Sequence, residues 1–244
     1  MHSQSACATL TYAPEHLPPH GSLRRSDFAG FIKRLRSRVA YRDGPRFGFD
    51  VCGEYSPAPA MRPHYHAPLF GYWPPDAREY AKSQAGNQEF ESAELTEAWG
   101  KGIVTFQAWS AGAARYCAGH QAWKLTGDAA WERLVVVGDD GRVIAEREPE
   151  FHQASTRPGV GRSFFEKYGR QMLELDFTVV SAAKVPVPAY YLRLGDKSEP
   201  ELTALARQRR TLKAIASAPE EQRFEALDTC ARASIARSRR KDGL

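Results

Sequence analysis

The feature that constrains this sequence most is a pair of histidines separated by one residue in the segment Pro63–Gly71 (PHYHAPLFG). The residue types of the segment predict a β-strand. In a strand, His64 and His66 project from one face and Tyr65 from the other, so the two imidazoles lie about 7 Å apart. They can therefore converge on one divalent cation.

Glu54 is the candidate third ligand of such a cation. It ends the preceding predicted strand, residues 46–53, which we expect to pair with residues 63–71. Two nitrogens and one carboxylate leave positions open for water and substrate oxygens, as suits an ion that polarises a phosphoryl oxygen. The alternative is that Glu54 only neutralises the nearby Arg62.

Tyr116 is the candidate nucleophile. It lies in a predicted helix, residues 109–124, where the small residues 111–114 would let a substrate come close. A phenol has a pKa near 10, so attack near neutral pH needs a cation or a general base to favour the phenolate. The metal, Arg115 or Lys124 could provide this. The alternative is that Tyr116 is an ordinary core residue of an amphipathic helix.

Charge is concentrated in two basic zones. The net charge is +5, and residues 197–244 hold 11 Lys or Arg against 7 Asp or Glu. The second zone is one face of a predicted helix, residues 22–39, with Ser22 as its N-cap and Phe28, Phe31, Ile32 and Leu35 on the other face. Two such zones indicate contact with a polyanion, most simply nucleic acid, although surface cations also serve solubility. The basic residues of the helix and its start are Arg24, Arg25, Lys33, Arg34, Arg36 and Arg38.

The composition predicts a protein of a reducing cytoplasm. Hydrophobic residues make up 42% of the 244 residues, which is enough for a core. No apolar run approaches the roughly 18 to 20 residues that cross a bilayer. The four cysteines are scattered, which favours neither a disulfide framework nor a structural zinc site.

The remaining pattern alternates strands and helices. Residues 13–21 predict a proline-rich loop, 73–99 a polar surface excursion with a short helix, and 151–169 a Gly/Pro loop with a short helix near 163–168. The other predicted strands span 6–12, 101–107 and 177–187, with a strand pair at 133–137 and 142–146, and residues 199–240 predict a helical tail.

A series of short motifs resembles one known family. The motifs occur in the family's order between residues 6 and 194 and are Thr9–Tyr12 (TLTY), Cys52–Tyr55 (CGEY), Arg62–His66 (RPHYH), Ala114–Tyr116 (ARY), Glu148–Phe151 (EPEF), Arg157–Gly161 (RPGVG), Phe165–Tyr168 (FEKY) and Pro188–Tyr191 (PAYY). Each motif alone is weak, but the ordered series resembles the replication initiators of microviruses. These are HUH-type rolling-circle endonucleases of small single-stranded DNA phages.

The resemblance implies an α+β fold. We expect a central antiparallel β-sheet flanked by helices, with the histidine pair on a middle strand, the tyrosine on a helix nearby and a basic helical C-terminal extension. The implied domains are a nicking core over residues 1–130, a family-specific part of the same domain over 131–196, and a basic helical tail over 197–244.

The resemblance also implies a reaction. The family nicks one strand at a replication origin, leaving a free 3′ hydroxyl and a 5′-phosphotyrosine, and later rejoins the circle. His64, His66 and Glu54 would hold Mg²⁺ or Mn²⁺, and Tyr116 would attack with Lys124 as a second catalytic residue. The implied partners are single-stranded origin DNA and host replication proteins, in the cytoplasm of a bacterial host and with no membrane. The expected DNA contacts are Arg24, Arg25, Arg62 and Arg115.

Three departures from the family pattern qualify these expectations. Gly112 stands where many relatives have a second tyrosine, so a two-tyrosine relay is not expected. The family's lysine, three or four residues after the tyrosine, is replaced by Gly119 and His120, and we attribute the position of Lys124 to about one inserted turn. A cysteine-containing segment before the first strand is missing, which predicts a truncated chain or a later start.

Two other functions fit the same residues. One is a non-catalytic DNA-binding relative of the same fold, and the other is a plasmid or transposon nuclease with the same chemistry. The tail over residues 197–244 either adds electrostatic affinity for DNA or docks host replication factors.

Overall fold

A computed structural model describes residues 4–44, 46–57, 60–83, 86–122, 128–180, 182–217 and 225–233. The chain forms two compact units, Met1–Val160 and Gly161–Leu244. The sequence-based divisions lie elsewhere, after residues 130 and 196.

The first unit is built around one antiparallel sheet. Seven strands follow the order β4-β5-β6-β1-β3-β2-β9, which places the histidine strand β3 between β1 and β2. The α+β class with a central antiparallel sheet is therefore confirmed. The elements are β1 (Ser5–Thr11), α1 (Arg25–Tyr41), β2 (Gly48–Tyr55), β3 (Pro63–Phe70), β4 (Arg78–Lys82), β5 (Gln88–Glu91), α2 (Ala93–Trp99), β6 (Val104–Ala108), α3 (Ala111–Ala122), α4 (Asp128–Leu134), β7 (Val135–Val137), β8 (Val143–Glu146) and β9 (Phe151–Ala154).

One face of this sheet forms the main core. Successive strand residues point to opposite faces, so Tyr65 and Leu10 lie on the face away from the histidines. They pack with the apolar stripe of α1, which includes Phe28 and Phe31, and with Trp99 of α2. The predicted apolar face of the helix is thus confirmed.

The start of α1 differs from the prediction. The helix begins at Arg25 and its N-cap is Arg24, so the prediction of Ser22 as N-cap is wrong. The Ser22 hydroxyl instead donates to the Leu23 carbonyl and accepts from the Glu148 amide. Tertiary hydrogen bonding has taken the local capping group.

The segment 73–99 also differs from the prediction. Its short helix is confirmed, but β4 and β5 form a hairpin that extends the main sheet. Trp99 at the end of α2 is completely buried, and its indole nitrogen donates to the Thr11 carbonyl at 2.9 Å. The segment therefore completes the core instead of lying on the surface.

The predicted loop over residues 151–169 contains the edge strand β9. Phe151 pairs with Gly53 of β2, and its ring lies so close that a Cβ at position 53 would overlap it. The missing side chain of Gly53 therefore makes room for Phe151 in the core.

The second unit consists of three helices and a hairpin. Its core contains Phe165, Met172, Leu173 and Val187. The predicted strand over residues 177–187 is a two-stranded hairpin, and the short helix near 163–168 is part of a longer one. The elements are α5 (Arg162–Leu175), β10 (Phe177–Val180), β11 (Ala183–Pro186), α6 (Ala189–Ser198) and α7 (Pro200–Ala216), and residues 225–233 are also helical. Across the described residues, no helix has the length and apolar character to span a membrane.

Part of the basic face of α1 is used within the fold. Arg34 donates to the carbonyls of Ala98 and Trp99 at 2.7 and 3.0 Å, which satisfies backbone oxygens at the end of α2. Arg38 pairs with Glu97 of the same helix at 2.8 Å. These two arginines of the predicted polyanion zone connect α1 to α2.

Arg34→Ala should lower the free energy of unfolding by about 1–3 kcal/mol, because two charge-assisted hydrogen bonds to carbonyls at the end of α2 are lost. Urea denaturation monitored by circular dichroism measures this loss. The adjacent exposed Lys33→Ala is the matched control and should stay within about 0.5 kcal/mol of wild type. Equal stability of the two variants would show that the Arg34 contacts contribute nothing.

Candidate active site

The register of three neighbouring strands assembles the predicted ligands. In β2 and β3, Glu54 lies directly opposite His64, and Cys52 lies opposite His66. On the other side of β3, Thr9 of β1 lies opposite His66. Opposed residues in an antiparallel pair share one face, so all five side chains belong to the face away from the main core.

The three predicted ligands form a compact cluster. Ligand atoms of Glu54, His64 and His66 lie within 4.8 Å of one another. The Glu54 side chain is only 4% exposed, while the imidazoles are half-buried with ring centroids 5.0 Å apart. A buried carboxylate with two imidazoles is a donor set that suits a divalent metal ion. The sequence-based grouping of these residues therefore fits a metal site.

Hydrogen bonds on the far ring nitrogens orient both histidines. His64 Nδ1 lies 3.2 Å from the Arg62 carbonyl, so it donates and leaves the lone pair on Nε2. His66 Nδ1 lies 3.1 Å from the Thr9 hydroxyl, which can accept its proton in the same tautomer. Such outer contacts fix the tautomer and ring angle of metal-binding histidines. The sequence analysis missed Thr9, whose signal is its position on the strand that flanks the histidines.

The nucleophile helix α3 packs on the histidine face of the sheet. Ser110 caps its start, because the hydroxyl accepts from the Ala113 amide at 3.1 Å. Ala113 and Cys117, one turn apart, are buried, and the Cys52 thiol donates to the Cys117 carbonyl at 3.9 Å. Because Cys52 is the register partner of His66, the backbone at position 117 lies near the cluster.

The two predicted catalytic residues differ in how far they are described. Tyr116 lies in α3 next to Cys117, and its side chain falls outside the described part of the chain. Lys124 lies outside the described residues altogether. Their roles stay predictions.

Cys117 is not a competing nucleophile. A hydrogen bond with the Cys7 thiol, followed by burial, raises the pKa of Cys117 far above its usual range. The thiolate is the reactive form of cysteine, and this environment disfavours it. The interpretation of Cys117 as a core residue is confirmed by its burial.

Two tyrosines near the histidine strand are also unsuited to attack. Burial raises the pKa of Tyr65 to about 12 and that of Tyr12 still further. Their hydroxyls lie 2.8 Å apart on the core face, where Tyr12 also donates to Asp27. Both phenols therefore stay protonated and face away from the cluster.

The four arginines predicted to contact DNA have different surroundings. The backbone of Arg24 bonds to the Tyr65 hydroxyl, while its side chain is exposed. The Arg25 guanidinium lies over the Phe151 ring, 4.5 Å from its centroid. Arg62 donates to the Tyr12 carbonyl at 2.8 Å, and Arg115 is exposed on α3.

A second titratable pair occupies the same face of the sheet. His152 of β9 lies opposite Cys52 and pairs through Nε2 with the Asp50 carboxylate. Cys52 stands between His152 and His66, so the two histidines are about two strand spacings, or roughly 10 Å, apart. His152 thus lies beside the cluster without belonging to it.

An antiparallel sheet with two histidines and a glutamate on one face, and with a helix packed across that face, is the architecture expected for the HUH class. Residues 5–121, or 117 of the 244, match the model of a family of phage-type replication-associated proteins that is named after its ORF2 members. This match includes the whole cluster and Tyr116.

Two phage proteins are similar to the chain over most of its length. Replication-associated protein VP4 of Bdellovibrio phage phiMH2K is 28% identical over 198 residues, which are 79% of this chain and 58% of the relative. Replication-associated protein ORF2 of Spiroplasma virus 4 is 27% identical over 194 residues, or 76% and 56%. The chain thus spans a little over half the length of these relatives. No solved structure matches it. The predicted resemblance to phage replication initiators is confirmed.

Replacing both histidines, His64→Ala with His66→Ala, should abolish saturable Mn²⁺ binding in a calorimetric titration, because two of the three clustered donors are removed. The control is His152→Ala, which removes a histidine from the same sheet face and should leave the Mn²⁺ isotherm unchanged. Equal loss in the control would move the metal site toward β9.

Thr9→Val should weaken Mn²⁺ binding by about tenfold, because the hydroxyl that orients the His66 ring is lost while the side-chain volume is kept. The same titration measures this change. Thr11→Val on the same strand, whose hydroxyl donates to the Ile103 carbonyl, is the matched control. An unchanged affinity in Thr9→Val would remove Thr9 from the site.

Proposed function

We propose that this chain is a rolling-circle replication initiator that nicks single-stranded origin DNA through metal-assisted attack by Tyr116. The observation that carries the proposal is the cluster of Glu54, His64 and His66 on the sheet face against which α3 packs. The relatives named as replication-associated phage proteins support the same function.

The proposed chemistry is a transesterification. The Tyr116 oxygen attacks the scissile phosphorus in line, the bond from phosphorus to O3′ breaks, and the 3′ oxygen leaves as a hydroxyl after taking a proton. The 5′ phosphate stays on the tyrosine as an ester. Attack of a free 3′ hydroxyl on this ester reverses the reaction and closes the circle.

Each part of the site has a proposed task. Glu54, His64 and His66 would bind Mg²⁺ or Mn²⁺, which supplies Lewis-acid polarisation of the scissile phosphate. Lys124 would favour the phenolate of Tyr116. The exposed Arg115 and the basic residues at the start of α1 would contact phosphates on either side of the scissile bond. In an infected bacterial host, the substrate would be the phage origin in the cytoplasm.

Tyr116→Phe should eliminate a covalent protein–DNA adduct, because only the attacking oxygen is removed. The adduct is detected on denaturing gels after incubation with Mn²⁺ and labelled overlapping oligonucleotides from the phage genome. Tyr41→Phe, which changes a tyrosine that is 92% exposed on α1, is the control and should form the adduct at the wild-type rate. Peptide mass mapping of the adduct to any residue other than Tyr116 contradicts the assignment.

The double change of His64→Ala and His66→Ala should abolish nicking while oligonucleotide binding persists, since the phosphate is no longer polarised. Glu54→Gln should weaken metal dependence less completely, because an amide oxygen still coordinates but carries no charge. Nicking assays across a Mn²⁺ titration measure both. Nicking by the double variant at the wild-type rate would remove the cluster from the reaction.

These assays also identify the alternative. A non-catalytic DNA-binding relative would bind origin oligonucleotides and form no adduct with any of them, even at saturating Mn²⁺. Adduct formation by the wild-type chain excludes this alternative.

A further inference from the structure

Two motifs that the proposed reaction does not use come together in the second unit. FEKY contributes Tyr168 of α5, with Phe164 just before the motif, and PAYY contributes Tyr190 and Tyr191 of α6. Their rings form a continuous series. Centroid distances are 5.6 Å from Tyr190 to Tyr191, 6.2 Å from Tyr191 to Phe164 and 5.0 Å from Phe164 to Tyr168. We call these four rings the aromatic series.

The aromatic series lines the edge of the small core. Phe165 is buried beneath it and stacks on Tyr191, whereas all four rings of the series are only half-buried. The rings of Tyr191 and Phe164 are nearly parallel, with 21° between their planes. Half-buried aromatic rings grouped on a surface mark an interaction site more often than scattered single rings do.

Cations flank this surface. The Lys167 ammonium lies 5.1 Å from the centroid of the Tyr168 ring, a distance typical of a cation–π contact. On α6, Arg193 and Lys197 follow Tyr190 at spacings of three and seven, which places all three on one side of the helix. The buried Gly195 lies on the opposite side. Aromatic faces beside a line of positive charge are the recurring features of single-strand binding surfaces.

We propose that the aromatic series is a second DNA-binding surface, on which bases of single-stranded DNA stack while Lys167, Arg193 and Lys197 contact the phosphates. The choice of single-stranded DNA as the occupant rests on the proposed function. Every base has a π-face, so this surface binds DNA without reading its sequence. It holds the strand independently of the metal cluster and of Tyr116.

The test measures binding of the full chain to fluorescein-labelled oligo(dT) by fluorescence anisotropy, with EDTA present so that cleavage plays no part. Tyr190→Leu keeps an apolar side chain but removes the ring, and it should weaken binding about fivefold or more, as expected for loss of one stacked base. Tyr190→Phe keeps the ring and should bind as wild type. Tyr41→Leu, an exposed tyrosine on α1, is the control and should also bind as wild type.

A second variant tests the phosphate contacts. Arg193→Gln should reduce the slope of log affinity against log salt by about 0.7, the value for one phosphate contact on a single strand. Thermal unfolding of each variant confirms that the second unit is folded. Oligo(dT) carrying iodouracil should photo-cross-link to one of the four rings.

Wild-type affinity of Tyr190→Leu, together with cross-links that map only outside the second unit, overturns this inference. Sedimentation that shows a wild-type dimer and a monomeric Tyr190→Leu also overturns it, because the aromatic series is then an interface between two copies. Failure of the proposed nicking function has a different result. In that case the wild-type chain forms no adduct, while the anisotropy difference between Tyr190→Leu and Tyr190→Phe persists.

Discussion

The antiparallel register of β2 and β3 is the constraint on which the candidate site depends. Because side chains alternate along a strand, the opposition of Glu54 and His64 holds only in this register. A slip of one residue would carry Glu54 to the core face. The register is held from that face, where Tyr65 and Val51 are completely buried and exposing such a side chain costs about 2 kcal/mol.

A single strand therefore connects chemistry on one face with packing on the other. The Tyr65 hydroxyl accepts from the Arg24 amide and donates to the Arg24 carbonyl, which ties the start of α1 to the middle of β3. The neighbouring histidines are held from the sides, through Thr9 and the Arg62 carbonyl. Their orientation is consequently a property of three strands and one helix together.

The sequence predicts the elements whose pattern is local. The alternation of residues 63–71 and the helical spacing of Phe28, Phe31 and Leu35 need no distant partner to be recognised. The pairing of two adjacent strands then brings Glu54 to the histidines, because neighbouring strands in a chain often pair. These inferences required no knowledge of the other strands. The features that the sequence did not predict depend on distant contacts. Ser22 has the residue type of an N-cap, but its hydroxyl bonds with the Glu148 amide 126 residues away. Thr9 has a role only because β1 lies beside β3, which no spacing in the sequence reveals.

Gly53 carries a consequence for how this protein can change over time. Its position under the Phe151 ring leaves no room for a methyl group, and the next residue along the strand is Glu54. A larger residue at 53 requires a smaller one at 151, so the two positions are expected to vary together among related sequences. An alignment deep enough to reveal that covariation would link β9 to the carboxylate strand without any coordinates.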